Sequence, residues 1–400
     1  MTASTDSSPQ IDFASARAQR SPLRDAVHQL FKNKVAVGAL IFIVLEIFIA
    51  IPPVTKIVAP FPYDKTSLYD NNAPPGSPYT GKDPEYQGKT FWLGADYLGR
   101  DVLSRTLYGA QVSLAVGFVG ATVSLVVGIL YGLLSGYSSA RVDNIMMRFV
   151  DFLYALPIIV FVILMQVYFK AVARQTSTEV MGPFKMPGWF GPAVMAILAA
   201  AFIVGILLAK REDGGGVGIF LISMIVGIII SFALFVIMVM STGRSFMASL
   251  VEIDNAMGGM FFLFIALGLL NWLGMARITR GQVLSVKKKE YIEAARAIGS
   301  TDRRIISQHV LPNILGPAIV YETMAIPGYI FTEAFLSFIG LGINPPRPSW
   351  GNMISDSYGA LRTAPWGVLV PSLALTLTVL AFNFLGDGLR DAFDPRLRGE

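Results

Sequence analysis

Cysteine is absent from the 400 residues, and histidine occurs only at His28 and His309. Disulfide bonds, thiolate zinc sites, iron–sulfur clusters and cysteine nucleophiles are therefore excluded. Charged residues are also scarce, at 15% of the chain against about 25% in ordinary soluble domains. Because so few charges do not cover the surface of a soluble protein of this length, the composition argues against a soluble enzyme and against a disordered chain.

Apolar residues make up 54% of the chain and gather in long runs. A run of about 18 residues or more can cross the hydrocarbon core of a bilayer as a helix. The chain has eight such runs. The fourth, at 192–209, is short and rich in alanine, and it could instead be a re-entrant or buried helix. The predicted spans cover residues 35–54, 108–134, 149–169, 192–209, 217–240, 258–275, 318–341 and 366–385. We therefore expect an all-α polytopic membrane protein.

Basic residues indicate how these spans are oriented. With the N-terminus in the cytoplasm, the cytoplasmic segments carry 20 lysines and arginines and the outer segments carry 12. Both termini are therefore expected in the cytoplasm, with a tail at 1–34, an uncleaved first anchor at 35–54 and an external loop at 55–107. The net charge of +5 is too small to indicate a nucleic acid partner.

The second span carries small residues on one helix face. Gly120, Ser124, Gly128, Gly132 and Gly136 recur at a strict spacing of four. Such a stripe lets the backbone of a neighbouring helix approach closely. Packing within the chain is the expected role, and a subunit interface or a pore lining is the alternative.

Acidic residues inside the predicted spans are costly and therefore informative. They are Glu46, Asp151, Glu322 and Glu333. Asp151 is expected to pair with Arg148, three residues earlier in the same helix. Glu322 and Glu333 are eleven residues apart and face roughly the same side of one helix. They either line a translocation path or form hydrogen bonds within the bundle, and Pro327 between them is a natural place for a hinge.

The stretch at 277–312 predicts two short helices that meet at a corner outside the membrane. The first helix is rich in alanine, Gly299 ends it, and Ser300 or Thr301 caps the second. Apolar residues give the second helix one hydrophobic face, and the helix is expected to end at Pro312. The residues leave two roles open, because such a corner could touch anionic lipid heads or dock in a groove of another protein.

The corner resembles the EAA loop in the permeases of ATP-binding cassette (ABC) importers, a pattern of Glu-Ala-Ala, Gly and Leu-Pro at fixed spacing. The matching residues are Glu293, Ala294, Ala295, Gly299, Leu311 and Pro312. His309 stands where the general pattern has Ile, and the His-x-Leu-Pro-Asn version at 309–313 is similar to the peptide and nickel branch. Residues 93–114 are similar to a signature of the C-type subunit of dipeptide and oligopeptide importers, although Ala95 and Gln111 depart from it.

The resemblance implies the type I ABC importer permease fold, which has six spans. The permease transmembrane domain then comprises 108–165 and 258–400, and 166–257 is an insertion with two extra spans, eight in all. Because two extra crossings restore the original side of the membrane, the corner keeps its cytoplasmic placement. Lipid-facing reinforcement is the expected role of the insertion, and partner binding is the alternative.

The resemblance also implies a non-catalytic subunit for peptide import in the bacterial cytoplasmic (inner) membrane. The residues expected to couple it to ATPase subunits are Glu293, Ala294, Ala295, Gly299, Ser300, Thr301, Asp302, Arg303, Leu311 and Pro312. The expected partners are a homologous B-type permease, one or two ABC ATPase subunits, an extracytoplasmic substrate-binding protein and membrane lipid.

This chain lacks a recognisable nucleotide site, since a phosphate loop ending in Gly88-Lys89-Thr90 would need glycine where Asp83 stands. ATP and Mg²⁺ are therefore expected in partner subunits, and no cofactor or metal site is expected here. Nickel or another small solute is the alternative substrate. An ATP-independent carrier or channel is the alternative class, supported only by Glu322 and Glu333, and a membrane enzyme would need a catalytic cluster that the isolated acidic residues do not form.

Overall fold

The computed structural model describes residues 22–178 and 246–393, with a few single residues between these ranges. Two short strands, β1 (Ser77–Pro78) and β2 (Thr90–Phe91), accompany a largely helical chain. The helices are α1 (Pro22–Lys32), α2 (Lys34–Ala50), α3 (Pro52–Val58), α4 (Val102–Tyr137), α5 (Ala140–Tyr154), α6 (Ile158–Thr178), α7 (Phe246–Ala256), α8 (Met260–Val286), α9 (Glu290–Ala297), α10 (Asp302–Ile305), α11 (Leu311–Phe338), α12 (Trp350–Ser357) and α13 (Trp366–Phe393).

The described ranges contain four helices that are long and apolar enough to cross a membrane, and up to six spans if each of two bent helix pairs counts as one. The bent pairs are α2 with α3, at 87°, and α5 with the first part of α6, at 77°. The expected spans at 192–209 and 217–240 lie outside the described ranges. An all-α polytopic membrane fold is therefore confirmed, and the count of eight stays a prediction.

The small-residue stripe of α4 packs against other helices of the same chain. Near its middle, Gly120 lies against the ring of Tyr329 in α11. Toward the end of α4, a Cβ atom placed on each glycine would collide with α8. These contacts join Gly128 to Met275, Gly132 to Thr279 and Gly136 to Val283. Because glycine has no side chain, the two helix backbones approach closely along this seam.

A helical run continues from Asp302 to Phe338, through α10, a π turn at Ile306–Val310 and α11. The prediction that Pro312 closes the second helix of the corner is therefore wrong. Proline lacks a backbone N–H and its ring crowds the preceding turn, so it normally interrupts a regular α-helix. The wider π turn ends two residues before Pro312, where it makes room for the proline ring and leaves out the missing backbone hydrogen bond.

The segment before α4 forms a small aromatic cluster at the other end of the bundle from α9. Phe61, Tyr79, Tyr86 and Phe91 are buried together, and the rings of Phe61 and Phe91 stack with centroids 5.0 Å apart. The antiparallel pairing of β1 with β2 closes the loop at 79–89 within this segment. The external loop expected from the sequence is thus a packed unit in this structure.

Candidate functional site

The corner predicted from the sequence is formed by α9 and α10, at residues 290–305. Gly299 has a φ of +86°, in the left-handed region that favours glycine. The Ser300 amide donates to the Ala295 carbonyl at 3.0 Å, and the Gly299 amide donates to the Arg296 carbonyl at 2.9 Å. These two bonds form a Schellman motif, which ends α9 and turns the chain.

The second helix of the corner begins at a threonine cap. The Thr301 hydroxyl accepts a hydrogen bond from the Arg304 amide at 3.4 Å, so Thr301 rather than Ser300 is the N-cap. Asp302 lies in the first turn, where its negative charge complements the helix dipole. The turn and the cap together hold α9 at the beginning of the run that continues to Phe338.

Opposite faces of the corner have different surroundings. Ile292, Ile305 and Val310 are buried against the membrane helices, in a cluster with Met275 and Ile314. The outer face leaves a set of side chains exposed, including a large apolar residue that is 84% exposed, Ile298. The exposed residues of this face include Glu293, Ala294, Arg296, Ile298, Thr301, Asp302 and Arg303.

Ala295 lies on the inner face of α9 and is only 7% exposed. Its small side chain therefore permits close approach to the helices of its own chain. Ala295 and Ala294 are both expected among the coupling residues, and here Ala295 faces its own chain, so its part in coupling stays a prediction. Leu311 is also buried, so it contributes to the core behind the corner and not to its outer surface.

A polar clamp that the sequence did not indicate joins α4, α5 and α8 behind the corner. Arg280 donates two hydrogen bonds to Asp143, at 2.6 and 2.5 Å, and Ser135 donates to the same carboxylate at 2.5 Å. The Lys287 ammonium donates to the Gly136 carbonyl at 3.0 Å. Asp143 and Arg280 are 137 residues apart in sequence, so no local spacing signals the pair.

Asp151 pairs with Arg277 of α8, at 2.6 Å, and the expected pairing with Arg148 is wrong. The Arg277 guanidinium also lies 4.0 Å from the centroid of the Tyr154 ring, which holds it beside α5. Both charged side chains are substantially exposed, so this pair contributes little to stability.

Glu322 and Glu333 both face α4 and form hydrogen bonds inside the bundle. Ser124 and Tyr329 lie 2.5 and 3.0 Å from the two carboxyl oxygens of Glu322. Glu333 accepts hydrogen bonds from the hydroxyls of Ser113, at 3.0 Å, and Ser337, at 2.7 Å. The eleven-residue spacing of the two glutamates equals that of their serine partners on antiparallel α4. This geometry matches the hydrogen-bonding alternative, and their role in a path stays a prediction.

A second set of charges that sequence reasoning missed lies at the opposite end of the bundle from the corner. Arg100 binds Asp96 at 2.6 Å and Asp356 of α12 at 3.2 Å. The Arg105 guanidinium of α4 lies 3.6 Å from Asp96 and 3.1 Å from the Tyr63 carbonyl oxygen. The two arginines and Asp96 are almost fully buried, and the more exposed Asp356 supplies the second negative charge.

Carboxyl groups outside the spans differ in their electrostatic surroundings. Burial raises the pKa of Asp101, the N-cap of α4, above its usual range, although hydrogen bonds from Ser104 act in the opposite direction. The hydrogen bond from Lys65 lowers the pKa of Asp83, which is partly exposed. In the described part of the chain, no group of three or more His, Asp or Glu side chains has a geometry that could hold a metal ion.

Comparison with known proteins identifies the family. A model described as a binding-protein-dependent transport system inner membrane component matches residues 128–211 and 201–399, more than half of the chain. The chain belongs to this permease family. A second model, the N-terminal transmembrane domain of oligopeptide transport permease C, matches residues 21–75 of the permease. The resemblance to C-type permeases that the corner and residues 93–114 indicate is thereby confirmed.

Relatives of the permease are similar over nearly their whole lengths. The oligopeptide transport system permease protein OppC of Haemophilus influenzae is 34% identical over 95% of this chain and 90% of its own length. The dipeptide transport system permease protein DppC of Bacillus subtilis is 33% identical, over 96% of this chain and 88% of its own. OppC of Escherichia coli K12 is 33% identical, over 95% of this chain and 93% of its own. These similarities are consistent with a multi-pass inner membrane transport protein.

Proposed function

We propose that this permease forms half of the translocation path of an ATP-driven importer for dipeptides or oligopeptides. Its relatives are named as oligopeptide and dipeptide transport permeases, which favours peptides over nickel or another small solute. In this proposal a homologous B-type permease forms the other half of the path. ATP and Mg²⁺ are bound by one or two separate ATPase subunits, and a substrate-binding protein delivers peptide on the outer face.

The observation that carries the proposal is the direct connection between the corner and a membrane-crossing helix. The run Asp302–Phe338 has 37 residues. At 1.5 Å per residue it is about 55 Å long, well beyond the hydrocarbon thickness of about 30 Å. The corner is therefore continuous with a helix that reaches the opposite side of the bundle. The buried inner face of α9 holds the corner against that helix, so the two move together.

The outer face of the corner has the chemistry of a docking surface for an ATPase subunit. Ile298 offers an apolar anchor, since it is 84% exposed beside the Gly299 turn. Glu293 and Arg303 flank it with opposite charges, which would orient a partner. We assign coupling to this exposed set and a supporting role to the buried Ala295 and Leu311.

The proposal places the corner and both termini in the cytoplasm, because basic residues concentrate on that side. Eight spans are consistent with this placement, since an inserted pair at 166–257 returns the chain to the same side. In this arrangement the aromatic cluster before α4 faces the substrate-binding protein.

The test compares two matched isoleucine variants of the full chain. Ile298 and Ile57 are 84% and 83% exposed, and they lie at opposite ends of the bundle. Each is changed to glutamate, and the tagged chain is purified from its native membranes in mild detergent with its partners. We expect Ile298→Glu to lose the ATPase subunits and peptide-stimulated ATP hydrolysis, because a charge replaces the apolar anchor. Ile57→Glu is expected to retain the ATPase subunits.

Retention of the ATPase subunits and full transport by Ile298→Glu would overturn the assigned role of the corner. Peptide uptake by the purified chain alone in lipid vesicles, without ATP, would instead support a carrier or channel.

A further inference from the structure

Glu322 lies within hydrogen-bond distance of two hydroxyl groups, and which atom donates in each contact depends on whether its carboxyl group is protonated. Its Oε1 atom is 2.5 Å from the Ser124 hydroxyl oxygen of α4, and its Oε2 atom is 3.0 Å from the Tyr329 hydroxyl oxygen. The same Ser124 oxygen is 3.1 Å from the Asn271 carbonyl oxygen of α8. The Glu322 side chain lies in the core, since the residue is only 4% exposed.

The available hydrogen atoms decide between an ionised and a neutral carboxyl group. A serine hydroxyl carries one hydrogen, and a carbonyl oxygen only accepts. If Ser124 donates to Asn271, the hydrogen in the 2.5 Å contact must come from Glu322. Tyr329 then donates its own hydrogen to the second carboxyl oxygen, and each of these three contacts has one hydrogen. With an ionised carboxylate, one of the two Ser124 contacts has no hydrogen.

Glu46 of α2 repeats this arrangement with a threonine. The Thr378 hydroxyl oxygen is 2.7 Å from Glu46 Oε1 and 2.8 Å from the Ala374 carbonyl oxygen, four residues earlier in α13. One hydrogen again serves two contacts, so a neutral Glu46 supplies the second. Among the described residues, the buried Oε2 atom of Glu46 has no hydrogen-bond partner. Leaving the carbonyl oxygen of a neutral acid unpaired costs far less than leaving a charged oxygen so.

We propose that Glu322 is a neutral carboxylic acid that donates to Ser124 and thereby ties α4, α8 and α11 together. It is a positioning residue, and its proton stays in the hydrogen bond during transport. Glu46 ties α2 to α13 in the same way. Because this assignment gives Glu322 no part in proton transfer, it favours transport without proton coupling. The transport consequence rests on the proposed function, whereas the protonation state does not.

Infrared spectroscopy of the full chain in lipid tests the protonation state directly. We expect a carbonyl stretch of a protonated carboxyl group at neutral pH that disappears in Glu322→Gln. Glu46→Gln should remove a second, separate component. If the Glu322→Gln spectrum keeps every carbonyl component of the wild type, the proposal is overturned. This result does not depend on any transport measurement.

Transport and melting temperature of the assembled importer test the positioning role. Glutamine keeps one donor for Ser124 and one acceptor for Tyr329, so Glu322→Gln is expected to retain both. Glu322→Leu removes both hydrogen-bonding groups and should lower the melting temperature and transport together. Loss of transport in a Glu322→Gln variant of normal melting temperature would overturn the proposal, because it would show that proton exchange is required. An importer inactive even with wild-type Glu322 would count against the proposed function alone.

Discussion

Replacing Gly132 by alanine tests whether the small-residue stripe sets the distance between α4 and α8. A Cβ atom at Gly132 would lie 2.5 Å from the Thr279 Cβ atom and 2.6 Å from the Ala276 carbonyl oxygen. Carbon atoms in van der Waals contact are about 3.5–4.0 Å apart, so these positions overlap by about 1 Å. The Ala276 carbonyl belongs to the helix backbone and does not rotate away, so the two helices must separate.

The magnitude follows from two opposing terms. Overpacking of a close contact costs about 1–3 kcal/mol. Alanine also stabilises a helix by about 1 kcal/mol relative to glycine, and this gain opposes the loss from overpacking. Gly281 of α8 isolates the second term, because a Cβ atom there has no neighbour within 4 Å. The two alanine variants should therefore differ in unfolding free energy by about 1–3 kcal/mol, with Gly132→Ala the less stable.

The assay is reversible unfolding of the purified chain in detergent, followed by circular dichroism for each variant and the wild type. We expect Gly281→Ala to equal or exceed the wild type and Gly132→Ala to fall below Gly281→Ala. Equal stability of the two alanine variants would refute the close approach of α4 and α8. A Gly136→Ala variant should lose less than Gly132→Ala, because the distances from its Cβ atom are longer, at 2.8 and 2.9 Å to Val283 side-chain atoms and 3.4 Å to the Arg280 carbonyl oxygen.

Two further predictions concern the end of the bundle opposite the corner. Arg105→Met should lower the unfolding free energy by about 1–3 kcal/mol, because it removes the donor to the Tyr63 carbonyl oxygen while Asp96 keeps Arg100. Exposed Arg362→Met is the control, and equal effects of the two variants in thermal melts would contradict this role of Arg105. Burial raises the pKa of Asp101, so its contribution to stability is largest below its unfolded pKa of about 3.9 and declines as pH rises through the folded pKa. The melting temperature of the wild type should therefore fall relative to that of Asp101→Asn between acidic and neutral pH, and a gap that is constant with pH would contradict the burial of this carboxyl group.

Local patterns predicted the corner well because its determinants lie within a few residues of one another. The left-handed Gly299 and the Thr301 cap act through backbone bonds to nearby residues. The end expected at Pro312 was wrong, because a π turn accommodates the proline and the helix continues. The inward position of Ala295 was also missed, since the face that a helix buries depends on what it packs against.

Sequence alone determined the chemical class of this protein and its local structure. Long apolar runs require helices, because only a helix satisfies its own backbone hydrogen bonds within a single segment in lipid. The small-residue stripe and the corner motif were likewise recognisable from residue spacing alone, without the tertiary contacts. Tertiary structure alone decided the partners of the polar groups. Asp143 meets Arg280 across 137 residues, and Glu322 meets Ser124 across 198. Such pairs depend on the rotation and register of whole helices against one another, which the packing of many side chains sets jointly.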